Sequence, residues 1–119
     1  MKVFKLKDIT PSFSPRGSSL HQYFGAEQGA SMASGITVFM DAEIHWKLWY
    51  DEMLLCLSLE KSFELVVDGI AHELEPGDMM WLPAGTELIY RSVGTTKAVW
   101  AVTPPDWEKQ RPQGQAWRI

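Results

Sequence analysis

Residues 62–102, SFELVVDGIAHELEPGDMMWLPAGTELIYRSVGTTKAVWAV, decide the fold class. Short apolar runs with β-branched and aromatic members follow one another, and turn residues break them at regular spacing. Asp68-Gly69 stands between FELVV and IAHEL. That pair suits a type I′ hairpin, which needs positive φ at both central residues. Pro76-Gly77-Asp78 turns into the next run, and Gly85 and Gly94 punctuate the two after it. Such a series predicts an all-β sandwich or barrel.

The pattern extends towards the N-terminus through GITVFMDAE (35–43) and HWKLWYDEMLLCLSLE (45–60). The segment LWYDEMLLCLSLEKSFEL lacks Gly and Pro, as a helix would. Its length, aromatic content and neighbours favour two strands with a turn near Glu60-Lys61-Ser62. No segment sustains a 3.6-residue period, so no long helix is expected. Residues 10–35 are rich in Ser, Gly and Pro and read as arm and loop, with Phe13, Tyr23 and Phe24 laid on apolar surface. Residues 1–34 are thus expected to be an N-terminal arm packing on the barrel, 35–107 the barrel, and 108–119 a tail. Trp107 and Trp117 should pin the tail down.

The chain has 119 residues, 45% of them hydrophobic, which suits one domain with one core. A net charge of −4 with scattered basic residues offers no footprint for nucleic acid. Cys56 is the only cysteine, so no internal disulfide forms, and buried filler is its expected role. The opening MKVFKLKDIT has no apolar h-region, and no stretch approaches a membrane span. A cytoplasmic location, with no membrane partner, is expected.

Gly77 to Gly85 fits the opening of the second cupin motif, G-x5-P-x-G-x2-H-x3-N, with Pro83 and both glycines in register. That register puts Leu88 where the motif has His, and Ser92 where it has Asn. In the first motif, G-x5-H-x-H-x3-4-E-x6-G, the Glu matches Glu52. The two His positions then fall on His45 and Lys47, or on Trp46 and Leu48. Together with Tyr50-Asp51-Glu52, Val66-Val67-Asp68-Gly69 and Thr103-Pro104-Pro105-Asp106-Trp107, the chain resembles the EutQ-like cupins, the ethanolamine utilisation proteins. The resemblance covers about residues 35–107. It implies a small single-domain cupin, an antiparallel β-barrel or jelly roll, that departs from the usual metal histidines. It also implies a place in ethanolamine, related amine or short-acyl metabolism, and it makes a homodimer the expected assembly. An acetate kinase activity has been associated with EutQ. It is not carried over, because the chain has no Walker motif and no lysine-rich phosphate cradle.

A cupin metal site uses three imidazoles and a carboxylate. Only His45 and Glu52 remain as weak candidates, so no metal and no cofactor are expected. A barrel without metal can still hold a small polar metabolite. Residues of one face alternate along a strand. If Glu52 points inward, so do Tyr50, Leu54 and Cys56. Thr86, Tyr90 and Ser92 share the face of Leu88. The expected ligand-binding set is Tyr50, Glu52, Leu88 and Tyr90 from this parity, with Trp81 and Trp100 as further lining candidates whose parity the sequence leaves open. Glu52 is the candidate catalytic group, because an apolar interior raises a carboxyl pKa and suits it to general acid or base work. It would serve equally as the partner of a ligand amine, or as a purely structural hydrogen-bond acceptor for Tyr90 or Tyr50. Three functions follow. The first is a metal-free binding or accessory cupin. The second is a metal-dependent dioxygenase or isomerase with a degenerate site. The third is a structural partner in a metabolic assembly.

Overall fold

The computed structural model describes residues 1–12 and 17–112. Among these the strands are β1 (Ser18–Phe24), β2 (Ala33–Met40), β3 (Glu43–Lys47), β4 (Asp51–Leu59) and β5 (Ser62–Val67). They continue with β6 (Ile70–Glu73), β7 (Met79–Leu82), β8 (Glu87–Val93) and β9 (Thr95–Thr103). They form a five-stranded sheet, β1-β2-β9-β4-β7, and a four-stranded sheet, β3-β8-β5-β6. All the strand pairs are antiparallel. The expected all-β architecture is what forms, and its helical content is confined to 3-10 turns such as Leu6–Asp8 and Trp107–Gln110. No helix of the described residues is long and apolar enough to cross a membrane.

The hairpin at Asp68-Gly69 is a two-residue turn. Asp68 has φ 52° and Gly69 φ 74°, and Val67 pairs with Ile70 across it. β4 and β5 meet at Glu60-Lys61, so the segment that could pass for a helix is two strands. Alternation then sorts the side chains. From β4 and β5, Glu52, Leu54, Cys56, Phe63 and Leu65 are buried between the sheets.

The two outer faces differ in kind. On the four-stranded sheet, Arg91 of β8 bridges Glu43 of β3 and Glu64 of β5, at 3.1 and 3.0 Å, and Lys47 lies 3.9 Å from Glu87. That face is charged and suited to solvent. On the five-stranded sheet, Trp81 and Met79 of β7 stand opposite Met53 and Leu55 of β4. Met53 and Leu55 in turn stand opposite Ala101 and Val99 of β9. That face is apolar from strand to strand.

The N-terminal residues differ from the expectation. Ser18–Phe24, read as part of an arm, is a strand that pairs along β2. Its Ser- and Gly-rich flanks mask it in the sequence, and its backbone pairing depends on Gly35 opposite. A Cβ on Gly35 would drive into the His21 carbonyl oxygen and lie 2.9 Å from the Gln22 Cα. Phe4-Lys5-Leu6 forms no strand. Leu6 begins a 3-10 turn, and the Phe4 ring rests 5.7 Å from that of Phe24. Trp107 is itself held to the barrel. Its indole N–H donates to Gln22 Oε1 at 3.0 Å, and its carbonyl accepts from Trp49 Nε1 at 2.7 Å. Phe13 and Trp117 lie outside the described residues.

Candidate ligand cavity

Between the sheets lies a cavity of about 50 Å³. That is room for roughly three to five water molecules, at 10–15 Å³ for each centre. β4 and the residue pair before it supply Tyr50, Glu52 and Leu54 to its wall. They share a face because side chains alternate along the strand, which is the parity expected of them. The opposite sheet contributes Tyr90 from β8, whose O–H donates to Glu52 Oε1 at 3.0 Å. Trp46 of β3 donates its indole N–H to the Tyr50 oxygen at 3.0 Å. Trp100 of β9 and Trp107 of the tail close the cavity, with their rings 6.1 Å apart in an edge-on arrangement.

Glu52 is only 5% exposed. Burial lifts its carboxyl from the ordinary 4.5 to about 7, against the opposing effect of the Tyr90 hydrogen bond. Burial pushes the Tyr50 and Tyr90 hydroxyls well above their usual range, and Glu52 pushes them further. Both phenols are therefore neutral near neutral pH, where Glu52 is the wall group that changes charge. No Lys, Arg or His side chain among the described residues lines this cavity. The indole N–H of Trp100 is buried without a partner among the described residues.

The structure brings together four of the expected residues, Tyr50, Glu52, Tyr90 and Trp100. Two others are corrected. Trp81 is 62% exposed on the outer face of β7, where Leu82 holds the inward position. Leu88 is buried in the core, where the parity reading put it, but it is not part of the cavity wall. Sequence reasoning passed over Phe39, Thr37 and Trp107 as wall residues. Alternation in GITVFMDAE puts Thr37 and Phe39 on one face, yet nothing in the residues says which face turns inward. Trp107 was legible only as an anchor.

The metal donors do not assemble. His45 lies on the outer face of β3, 3.9 Å from the exposed Glu43, while Glu52 points inside. The positions where the cupin motif has His and Asn hold Leu88 and Ser92. Ser92 Oγ is engaged as the acceptor for the Ala42 amide at 3.0 Å. Among the described residues no three His, Cys, Asp or Glu side chains stand close enough to share an ion. This donor set does not fit the metal that the cupin fold implies, and no chemistry is routed through one.

A family model described as ethanolamine utilisation protein EutQ matches residues 7–109. The chain belongs to the EutQ family. Over 82 residues it is 27% identical to the acetate kinase EutQ of Escherichia coli (strain K12), a match that covers 69% of this chain and 34% of that one. The chain thus spans about a third of the length of the curated relative it matches. The EutQ protein of Clostridium difficile superposes with a TM-score of 0.72 at 17% identity, over 82% of this chain and 70% of that one. An RmlC-like cupin from Shewanella frigidimarina gives a TM-score of 0.71 at 14% identity, over 87% of this chain and 92% of that one. These superpositions establish the cupin fold. In this member of the EutQ family a buried carboxyl, Glu52, sits among aromatic rings, and Leu88 stands where the cupin motif has His.

Proposed function

We propose that the chain is a binding or accessory cupin, and that a small polar metabolite occupies the cavity beside Glu52. Family membership supports a role in ethanolamine, related amine or short-acyl metabolism. The observation that carries the reading is the interior cavity whose aromatic wall converges on one buried carboxyl. Buried, mostly apolar cavities with few polar groups are the usual form of a small-molecule site. The acetate kinase activity named for the Escherichia coli relative is not part of this proposal, since the match covers 34% of that chain. The test is a metabolite screen by ligand-detected NMR on wild type and Glu52→Gln. Ligands that bind wild type and weaken at least tenfold in the variant support the site. A screen whose hits all bind elsewhere on the barrel overturns it.

A second reading makes Glu52 a general base or acid, as in an isomerase. It is favoured by a carboxyl held near pH 7 in contact with a phenol, which is the protonation balance such chemistry needs. Turnover of a bound metabolite that stops in Glu52→Gln separates it from simple binding.

The proposed assembly is a homodimer through the outer face of the five-stranded sheet. Met79 and Trp81 are 61% and 62% exposed there and continue into Met53 and Leu55. Contiguous exposed apolar surface of this kind is typical of protein–protein contacts. A second copy can meet the same patch about a two-fold axis, where like apolar residues pack and no charge needs an opposite partner.

A further inference from the structure

The cavity wall poses a problem of charge. Glu52 sits among the rings of Phe39, Trp46, Tyr50, Tyr90, Trp100 and Trp107. An aromatic ring presents a partly negative face, so each ring that turns its face to the cavity adds negative potential to that of the carboxylate. No formal positive charge in the wall offsets it, because no Lys, Arg or His among the described residues lines the cavity. Ionised Glu52 is then a buried charge whose one hydrogen-bond partner among the described residues is the Tyr90 hydroxyl, and such a charge is costly. An anionic ligand would add to the repulsion. A neutral apolar ligand would leave the carboxylate uncompensated. A cation answers both the carboxylate and the ring faces. An alkylated ammonium suits the space best, because its methyl or methylene groups lie against rings while its charge stays within reach of Glu52. Aromatic cages with a carboxylate recognise such ions generally.

We propose that the ligand of this cavity is a small alkylammonium ion, held by the ring faces of the wall and by the Glu52 carboxylate. The proposal rests on the reading that the cavity binds a ligand, and adds its chemical class. A ligand filling about 50 Å³ of space open to water centres has only a handful of heavy atoms. An oxygen acceptor on it would also satisfy the Trp100 N–H, which is buried without a partner among the described residues.

Binding should carry a proton signature. The cation selects ionised Glu52, whose carboxyl titrates at about 7 in the free protein. The other titratable groups on the wall are Tyr50 beside it and Tyr90 from the facing sheet, both neutral in this range. The remaining wall residues, from β1, β2, β3, β9 and the tail, carry no titratable side chain. Affinity for a cation should therefore be level above about pH 8 and fall about tenfold per pH unit well below pH 7.

The experiment is isothermal titration at pH 5.5 and 8.5 with two pairs of probes. Ethylammonium is set against ethanol, and propylammonium against propan-1-ol. Acetate serves as the anionic control. At least one cation should bind at pH 8.5 ten times or more tighter than its neutral counterpart, and weaken at least tenfold at pH 5.5. Glu52→Gln should lose that preference and the pH dependence, while its retained circular dichroism and its binding of the neutral alcohol show that the cavity persists. Neutral probes or acetate binding as tightly as the cations overturn the ammonium assignment and leave the cavity reading standing. No binding by any probe, with no cavity ligand in the metabolite screen, overturns both.

Discussion

At Glu52, burial and chemistry pull in opposite directions. The carboxyl is 5% exposed, accepts one hydrogen bond from Tyr90, and titrates at about 7 where the unfolded chain titrates near 4.5. Below about pH 4.5 the group is protonated in both states and has no influence on the balance. Between 4.5 and 7 the folded protein keeps a proton that the unfolded chain has released, so stability falls as pH rises. Above 7 the penalty levels off at about 3 kcal/mol, from 1.36 kcal/mol for each pH unit separating the two values. Glu52→Gln carries no such charge. Wild type should lose several degrees of Tm relative to Glu52→Gln between pH 5 and pH 8. Parallel Tm profiles for the two proteins would show that Glu52 does not titrate in the interior. Glu52→Leu removes the acceptor of the Tyr90 hydroxyl and should destabilise by about 1–3 kcal/mol at pH 5, measured by urea unfolding. The residues Glu52, Tyr50 and Tyr90 were legible in the sequence as one inward set, because the motif register and strand parity both concern neighbours along the chain. Trp81 was not. Its parity depends on how β7 lies against β4, which is a contact between elements that are far apart in sequence.

Among the elements, β1 shows how a strand can be hidden by its composition. Ser18–Phe24 carries little of the apolar alternation that marks β2 or β9, and it is a strand because β2 offers it an edge. Gly35 permits the approach. Gly35→Ala would push a methyl group into the His21 carbonyl oxygen, which belongs to backbone and cannot turn aside. Loss of about 1–3 kcal/mol is expected, with faster amide exchange confined first to β1. Gly69→Ala makes an informative contrast. Nothing lies within 4 Å of a Cβ there, so only the φ of 74° resists it. Its cost should be about 1–2 kcal/mol, with β1 exchange unchanged. Equal exchange profiles for the two variants would refute the role given to Gly35. The Asp68-Gly69 hairpin was readable because its turn is settled within two residues. The β1–β2 pairing was not, because its decisive feature is the absence of a side chain opposite a distant backbone.

For the whole molecule, the difference between the two outer faces sets the expected assembly. One is charged, with Arg91 held between Glu43 and Glu64, and the other is apolar around Met79 and Trp81. Trp81→Glu should convert the proposed homodimer to a monomer by light scattering, with the circular dichroism of the barrel unchanged. A wild-type protein that is already monomeric at high concentration would remove the dimer and the reason for that exposed patch. The sequence by itself determined the all-β class, the hairpin at Asp68-Gly69, the cupin register of Gly77, Pro83 and Gly85, and the loss of imidazole at Leu88 and at one or both positions among residues 45–48. These are matters of local backbone preference and of residue identity, which the chain carries without folding. Only the tertiary structure decided that His45 and Glu52 face opposite ways, that Trp107 returns to close the cavity, and that Trp81 faces outward. Each of those depends on which face of a strand is covered by a partner from elsewhere in the chain. Alternation supplies two faces, and packing chooses between them.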